Sequence, residues 1–306
     1  MISAPPGDLR RFAFLSIAAA LVTIAMKTAA WRMTGSVGLL SDALESLVNL
    51  VAAVITLVML IVAARPADDD HAYGHGKAEY FASGAEGALI LLAAGGIGWT
   101  AILRLLAPHA LEQVGWGVLV SAGASLVNFG VARVLLRASK RYHSIALEAD
   151  AHHLLTDVWT TAGVLAAVGL VAFTGWNLLD PIIALAVAAQ IVWTGVQLLR
   201  RSAAGLLDTA LAPEEQAALR TVLDRHQGPE LLFHAVRTRQ AASRRFVSMH
   251  VLVPGGWTVR SGHDLAERIE AEVRAVIPNA TVFTHLEAIE DPASFQDQGL
   301  DRNPPK

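Results

Sequence analysis

Two groups of polar residues lie inside long apolar stretches of the sequence, where ionisable side chains are rare. The groups are Asp42, Glu45 and Asn49 in one stretch and Asp150, His153 and Asp157 in another. Each group has spacings of three and then four residues, which puts its members on one face of a helix. Because an ionised side chain near the middle of a bilayer costs about 2.5–3.5 kcal/mol, two such groups indicate a function.

The helices that carry these groups are predicted to be antiparallel and to meet near the membrane midplane. At a rise of 1.5 Å per residue, Glu45 and Asn49 lie about 12 and 18 Å below the outer end of their helix. His153 and Asp157 lie about 12 and 18 Å above the inner end of theirs. Across about 30 Å of hydrocarbon, Glu45 is therefore level with Asp157 and Asn49 with His153. Four O and N donors around one point suit a divalent metal, and a set without thiolates is compatible with Zn²⁺.

The alternative is that these side chains only hydrogen-bond between helices, as polar residues in membranes often do. Asp42 and Asp150, one turn away, are expected to line the access path or to orient the ligands. His152 points about 100° away from His153 and is expected to pack or to lie at an interface. Interhelical pairing is the expected role of the scattered polar residues Lys27, Glu86, Asn128 and Asp180.

The composition of the 306-residue chain indicates a membrane protein. Hydrophobic residues make up 54% and charged residues 17%, whereas soluble chains contain about 25% charged residues. The chain has no cysteine, which excludes disulfides, thiolate metal sites and thiol catalysis. Its net charge of −3 gives no indication of nucleic acid as a partner. Six apolar stretches are predicted to cross the lipid bilayer as helices: residues 12–32, 37–64, 83–106, 114–136, 145–172 and 177–199.

Charge also divides the chain and orients it. Residues 1–205 contain 13 Lys or Arg and 13 Asp or Glu, whereas the much shorter segment 206–290 contains 9 and 11. We expect a membrane domain in the first segment, a soluble domain in the second and a disordered tail at 291–306. Ten Lys or Arg residues flank the spans on one side and two on the other, which predicts cytoplasmic N- and C-termini.

Three motifs resemble those of the cation diffusion facilitator family, most closely its iron/zinc branch. Members pair Asp-Ala-x-His-x-x-x-Asp or Asp-x-x-x-Asp in the second span with His-x-x-x-Asp in the fifth. The matching segments are Ser36-Val-Gly-Leu-Leu-Ser-Asp-Ala-Leu-Glu-Ser-Leu-Val-Asn49, His153-Leu-Leu-Thr-Asp157 and the loop Pro66-Ala-Asp-Asp-Asp-His-Ala-Tyr-Gly-His-Gly-Lys-Ala-Glu79. The resemblance covers essentially the whole chain. It implies six transmembrane helices followed by a cytoplasmic α+β ferredoxin-like domain, a homodimer, and efflux of divalent metal ions in exchange for protons. A bacterial inner membrane is the expected location.

The chain departs from the family pattern at two ligand positions. Glu45 and Asn49 stand where zinc-type members usually have His or Asp, and Asp, respectively. The four-residue set then carries a charge of −2, and this oxygen-rich site admits Fe²⁺, Mn²⁺, Co²⁺ or Cd²⁺ beside Zn²⁺. Whether Asn49 binds directly stays open, as does the alternative of a non-transporting metal-sensing or scaffold homologue. An intramembrane metalloenzyme would need a His-Glu-x-x-His helix or a Ser/His pair, and the segment 152–157 offers neither. We therefore expect a secondary transporter and not an enzyme.

Two further metal sites are expected from the resemblance. One is in the loop after the second span, where Asp68, His71 and His75 lie within eight residues; the alternative there is a solvated charged turn. The other is in the soluble domain, which reads helix, strand, strand, helix, strand, with a capping box predicted at Ser261–Asp264. The family positions that bind metal between two copies of this domain correspond to His234, His250, His263, His285 and Glu287. Such a site would act as a sensor of cytosolic metal.

Overall fold

The computed structural model describes residues 9–34, 37–106, 116–176, 178–296 and 298–299, which fall into two compact units divided at residues 204 and 205. Within the described residues, the first unit is built from six helices, and each predicted span lies on one of them. The helices are α1 (Arg10–Thr34), α2 (Val37–Ala63), α3 (Ala78–Leu106), α4 (Trp116–Tyr142), α5 (Ile145–Thr174) and α6 (Leu179–Leu206).

Four of these helices are long and apolar enough to cross a membrane by length and composition: Arg10–Ala29 of α1, Ala78–Leu106, Leu119–Tyr142 of α4 and Pro181–Leu206 of α6. The two others carry the polar groups. In α2 the described apolar segment is the shorter Asn49–Ala63, and α5 has Glu148, Asp150 and Asp157 in its first half. The prediction of a helical transmembrane domain is confirmed.

Small residues bring the helices of this unit close together. α1 packs against α2 and α4, α4 against α5, and α3 against both α2 and α5. Their shared core contains several fully buried alanines, as is common where helix backbones approach in a membrane. On its opposite side α3 meets α6 at Gly87, where a Cβ atom would lie 3.3 Å from the Gly195 carbonyl oxygen and 3.2 Å from Leu199. The neighbouring Glu86 contacts Thr56 of α2 and His153 of α5.

The second unit is a small α+β domain with a three-stranded sheet. Its elements are α7 (Pro213–His226), β1 (Leu232–Ala241), β2 (Arg244–Val253), α8 (Val259–Val276) and β3 (Ala280–Ala288). The strand order is β1-β2-β3, with β1 antiparallel and β3 parallel to β2. Apolar residues of the sheet and of both helices form its buried core. The predicted helix and strand order is therefore confirmed, and so is the ferredoxin-like α+β class.

Two details of this domain differ from the prediction. The second helix begins at Val259, and its N-cap is Thr258, whose Oγ1 accepts a hydrogen bond from the Ser261 backbone N–H at 3.1 Å. The predicted capping box at Ser261 is wrong because that residue already lies in the first turn. The segment 291–306 was expected to be disordered, yet it begins with a 3-10 helix, Pro292–Phe295. Residues 297 and 300–306 lie outside the described part of the chain.

Candidate metal sites

Three of the four side chains predicted to form the membrane site are in contact. His153 Nε2 of α5 lies 2.6 Å from Asn49 Oδ1 of α2, and Asn49 Nδ2 donates a hydrogen bond to Asp157 Oδ2. Asn49 and His153 are both buried, and Asp157 is partly buried. The antiparallel α2 and α5 therefore present the polar faces that the residue spacing predicts, and these faces meet. The side chains of Glu45, Asp42 and Asp180 lie outside the described part of the structure.

Two residues that the sequence did not assign to this site join it. Asn128 of α4 donates from Nδ2 to Asp157 Oδ2 at 2.9 Å. Glu86 of α3 is completely buried, and its Oε2 lies 3.0 Å from His153 Nδ1. Both residues pair between helices, as expected, but each pairs with a predicted metal ligand. The predicted span begins at residue 83 and puts Glu86 only three residues deep, whereas α3 begins at Ala78. Glu86 therefore lies eight residues into its helix, as deep as His153 lies in α5.

A cavity of about 620 Å³ opens beside this polar cluster. Its lining includes Asn49, His153 and Asp157, and residues of α3 between Leu89 and Arg104. Its volume is many times that of a water molecule, whose share of liquid volume is about 30 Å³. A partly hydrated ion therefore has room to reach His153 and Asp157 along the C-terminal half of α3.

The loop between α2 and α3 gathers the three predicted ligands Asp68, His71 and His75. Asp68 Oδ1 lies 3.1 Å from His71 Nδ1, and Asp68 Oδ2 lies 3.4 Å from His75 Nε2. Each of the three residues offers one ligand atom, and these three atoms all lie within 4.8 Å of one another. One metal ion can bridge atoms at this spacing. The pKa of Asp68 is below its usual value: partial desolvation acts to raise it, but hydrogen bonds from the His71 backbone and ring, and the charges of His75 and His71, outweigh that effect.

The sheet of the second unit places three histidines in one row. His234 on β1 is opposite His250 on β2, which is beside His285 on β3. Glu287 reaches this row, with Oε2 lying 2.8 Å from His234 Nε2 and 3.3 Å from His250 Nδ1. His234, His250 and Glu287 form a group whose ligand atoms are spaced closely enough to hold one metal ion.

The other two predicted ligands of this domain stand apart from that group. His285 is 65% exposed, and its Nε2 lies 3.7 Å from Glu287 Oε1. His263 is exposed on α8, outside the three-residue group. His226, to which the sequence gave no role, contacts Glu272 with Nε2 and Oε1 3.0 Å apart. One copy of the domain thus presents a partly buried group of three ligands and two exposed histidines.

Comparison with known proteins accounts for almost the whole chain. Residues 13–207 match the cation efflux transmembrane domain, and residues 211–289 match the cytoplasmic domain of cation efflux proteins. An uncharacterized transporter of Synechocystis is 50% identical over 94% of this chain and 93% of its own length. The cation-efflux pump FieF of Klebsiella pneumoniae is 30% identical over 93% of each chain. The pump of the same name from Shewanella oneidensis is 32% identical over 90% of this chain and 92% of its own.

Proposed function

Because this chain belongs to the cation diffusion facilitator family, whose members are transporters and not enzymes, we propose that it exports a divalent transition metal in exchange for protons. The family itself implies a membrane cation efflux transporter with a cytoplasmic dimerisation domain. The proposal concerns the cation, the driving ion and the residues. Zn²⁺ is the first candidate, and Fe²⁺, Mn²⁺, Co²⁺ and Cd²⁺ are the alternatives that an oxygen-rich site admits.

The observation that carries this proposal is the convergence of His153 and Asp157 with Asn49 beside a cavity within the helical unit. Imidazole nitrogen and carboxylate oxygen are the ligands that Zn²⁺ and its neighbours take when no thiolate is present. Glu45, one turn before Asn49 on α2, is proposed as a fourth member of the set. Buried polar residues of this density in a membrane need a polar or charged occupant.

Proton exchange follows from the chemistry of these ligands. A metal binds only deprotonated carboxylate and neutral imidazole, so metal binding releases protons and protonation releases metal. If the site is open alternately to the two sides of the membrane, each transport cycle moves metal one way and protons the other. The direction is then set by the proton gradient, which drives metal out of a cell whose exterior is the more acidic side.

We place both termini in the cytoplasm of a bacterial cell, with the protein in the inner membrane, as the distribution of Lys and Arg favours. In this orientation α3 enters from the cytoplasm, and its C-terminal half, which lines the cavity, lies in the outer half of the membrane. The described conformation would then have its metal site accessible from the outer side.

The remaining clusters are proposed as regulatory metal sites of a homodimer. Asp68, His71 and His75 would hold one ion in the loop, where it would stiffen the connection between α2 and α3. His234, His250 and Glu287 would hold an ion in the cytoplasmic domain. The exposed His263 and His285 would complete the ligand set across the interface between two copies. Cytosolic metal would in this way favour the association of the two domains.

Reconstituted transport tests the proposal. Proteoliposomes with an entrapped pH dye and metal indicator are exposed to Zn²⁺, Fe²⁺, Mn²⁺, Co²⁺ or Cd²⁺, and both fluxes are followed. We expect metal flux coupled to opposite proton flux, and its loss in Asp157→Asn. Asp224→Asn, the same change at an exposed position of α7, should leave both fluxes intact. Undiminished transport by Asp157→Asn would refute the site, and metal flux without proton flux would refute the antiport.

A further inference from the structure

Glu86 is the most deeply buried carboxylate in contact with the membrane site, and the motif comparison assigns it no role. Its side chain is 0% exposed. Oε1 accepts a hydrogen bond from Thr56 Oγ1 of α2 at 3.1 Å. Oε2 lies 3.0 Å from His153 Nδ1, but the two atoms are not aligned for a hydrogen bond, and neither has another hydrogen-bond partner. A buried carboxylate oxygen without a hydrogen-bond donor destabilises the fold unless a positive charge lies beside it.

The hydrogen bonds of Asn49 determine which atoms of His153 face which partner. Asn49 Nδ2 donates to the Asp157 carboxylate, which can only accept while it is ionised, so the amide must turn Oδ1 toward His153. His153 Nε2 is then the donor to Asn49 Oδ1 at 2.6 Å. In neutral imidazole the other nitrogen, Nδ1, carries the lone pair. In the neutral ring, Nδ1 and Glu86 Oε2 would be two acceptors 3.0 Å apart, so either a proton on Nδ1 or a metal ion must lie between them.

The separation of these two atoms is close to that of two ligands bound to one metal ion. Ligand bonds of about 2.0–2.2 Å place neighbouring donor atoms about 3.3–3.6 Å apart at a tetrahedral angle and about 3.0 Å apart at an angle near 90°. Two ligands of one ion need not be aligned with each other as a hydrogen bond requires, and Nδ1 and Oε2 are not so aligned. Asp150, one turn before His153 on α5, has a further buried oxygen, Oδ2, without a hydrogen-bond partner. Its Oδ1 accepts from Ser16 Oγ of α1 at 2.9 Å, which holds the carboxyl group in place.

We propose that Glu86 supplies the cargo site with the carboxylate that Asn49 lacks, and that Glu86 Oε2 and His153 Nδ1 bind the transported metal together. The inference rests on the proposed transport function and deepens it. Asn49 is then a positioning residue: its amide links Asp157 to His153 and fixes the imidazole so that Nδ1 faces α3. Three helices, α2, α3 and α5, thereby share the site, and a shift of α3 relative to α5 would change the coordination of the ion.

The inference is tested by initial rates of Zn²⁺ and Mn²⁺ transport in proteoliposomes made with the full-length chain. The variants are Glu86→Gln, Glu86→Asp and Asp157→Asn. Glu79→Gln is the matched control, since Glu79 is also a buried glutamate of α3 but is bound to Ser144. Thermal unfolding in detergent is measured for each variant, so that a loss of transport can be separated from a loss of fold.

We expect Glu86→Gln to raise the half-saturating metal concentration at least tenfold without a matching loss of thermal stability. Glu86→Asp, which keeps a carboxylate on a shorter side chain, should change the value less than Glu86→Gln does. Glu79→Gln should keep wild-type saturation. A structural role for Glu86 as a latch between α3 and α5 predicts instead that Glu86→Gln loses thermal stability together with transport.

The outcomes separate this inference from the proposed function. If the wild type transports metal and Asp157→Asn does not, but Glu86→Gln saturates within twofold of the wild type, the inference is overturned and the transport proposal stands. The inference is also overturned if Glu86→Gln loses transport only together with thermal stability. If the wild type itself moves neither metal, the proposed function fails, whatever the variants do.

Discussion

Replacing Glu287 by Gln should abolish most of the metal response of the cytoplasmic domain while preserving its shape. Glu287 Oε2 contacts both His234 and His250, and its side chain is only 7% exposed. Gln has the same size but lacks the charge, so the group loses its only anionic ligand. Changes to residues that merely orient metal ligands cost about 10–100-fold in affinity. We therefore expect a direct carboxylate ligand to cost about 100-fold.

This affinity change converts into a measurable shift in thermal stability. At a Zn²⁺ concentration 100 times the wild-type Kd, binding stabilises the folded domain by about 2.7 kcal/mol. For a domain of this size, each kcal/mol changes Tm by about 4–8 °C, so Zn²⁺ should raise the wild-type Tm by about 11–22 °C. With a Kd raised 100-fold, the same concentration gives the variant about 0.4 kcal/mol, or about 2–3 °C.

The assay is thermal unfolding of residues 206–299, whose apolar core lies within the domain, with and without Zn²⁺. Glu272→Gln is the matched control, because Glu272 also contacts a histidine, His226, at 3.0 Å but lies outside the row of three. The control should keep the full rise in Tm. A Glu287→Gln domain that keeps the full rise, or an equal loss in both variants, would refute the assignment of this site.

Three other predictions concern separate parts of the chain. In a chain with Asp157→Asn and Glu287→Gln, Zn²⁺ affinity of the loop site should fall from pH 7.5 to 5.5, because protons compete with the metal for ligand nitrogens. Asp68, whose pKa is below its usual value, stays ionised over this range; calorimetric titration showing constant affinity would contradict this. Thr258→Ala should destabilise the cytoplasmic domain by about 1 kcal/mol, a fall of about 4–8 °C in Tm, and Ser261→Ala by less than about 0.5 kcal/mol, since the cap acceptor is Thr258; equal melting curves would disprove it. Gly87→Ala should destabilise the helical unit in detergent by about 1–2 kcal/mol through overpacking against α6, whereas Gly95→Ala, with no atom within 4 Å of the added Cβ, should not.

Spacing and depth predicted much of the helical unit from the sequence alone. The faces of α2 and α5 were found from intervals of three and four residues, and the contact between Asn49 and His153 agrees with the depth arithmetic. Glu86 and Asn128 were missed because neither has a second charged or amide residue within four positions of it, and pairs of such residues were the signal for a face. The contacts of Gly87 with α6 and of Glu86 with His153 depend on the rotation of α3, and local pattern does not determine that rotation.

In the cytoplasmic domain, the strand alternation and the helix starts predicted the order of elements, but not the sheet register. Register is what brings His234, His250 and His285 into one row, since a shift by one residue would turn a histidine to the opposite face. The position of His263 depends in the same way on where α8 begins. The helix begins at Val259, so His263 lies in its second turn, exposed and outside the group. The division into three clustered ligands and two exposed histidines could therefore emerge only from the tertiary structure.

The neutral residue at position 49 has a physical consequence for a transporter that must return without its cargo. An aspartate at this position would place two carboxylates side by side, and in the absence of metal they would repel each other or hold a proton between them. Asparagine instead donates to Asp157 and accepts from His153, so α2 and α5 are joined by hydrogen bonds that need no ion. The contact between these helices can then persist in the empty state. In the proposed coordination, metal-dependent attraction is concentrated at Glu86 and His153, which link α3 to α5. On this argument the cargo controls the position of α3, while α2 and α5 move together whether or not metal is bound.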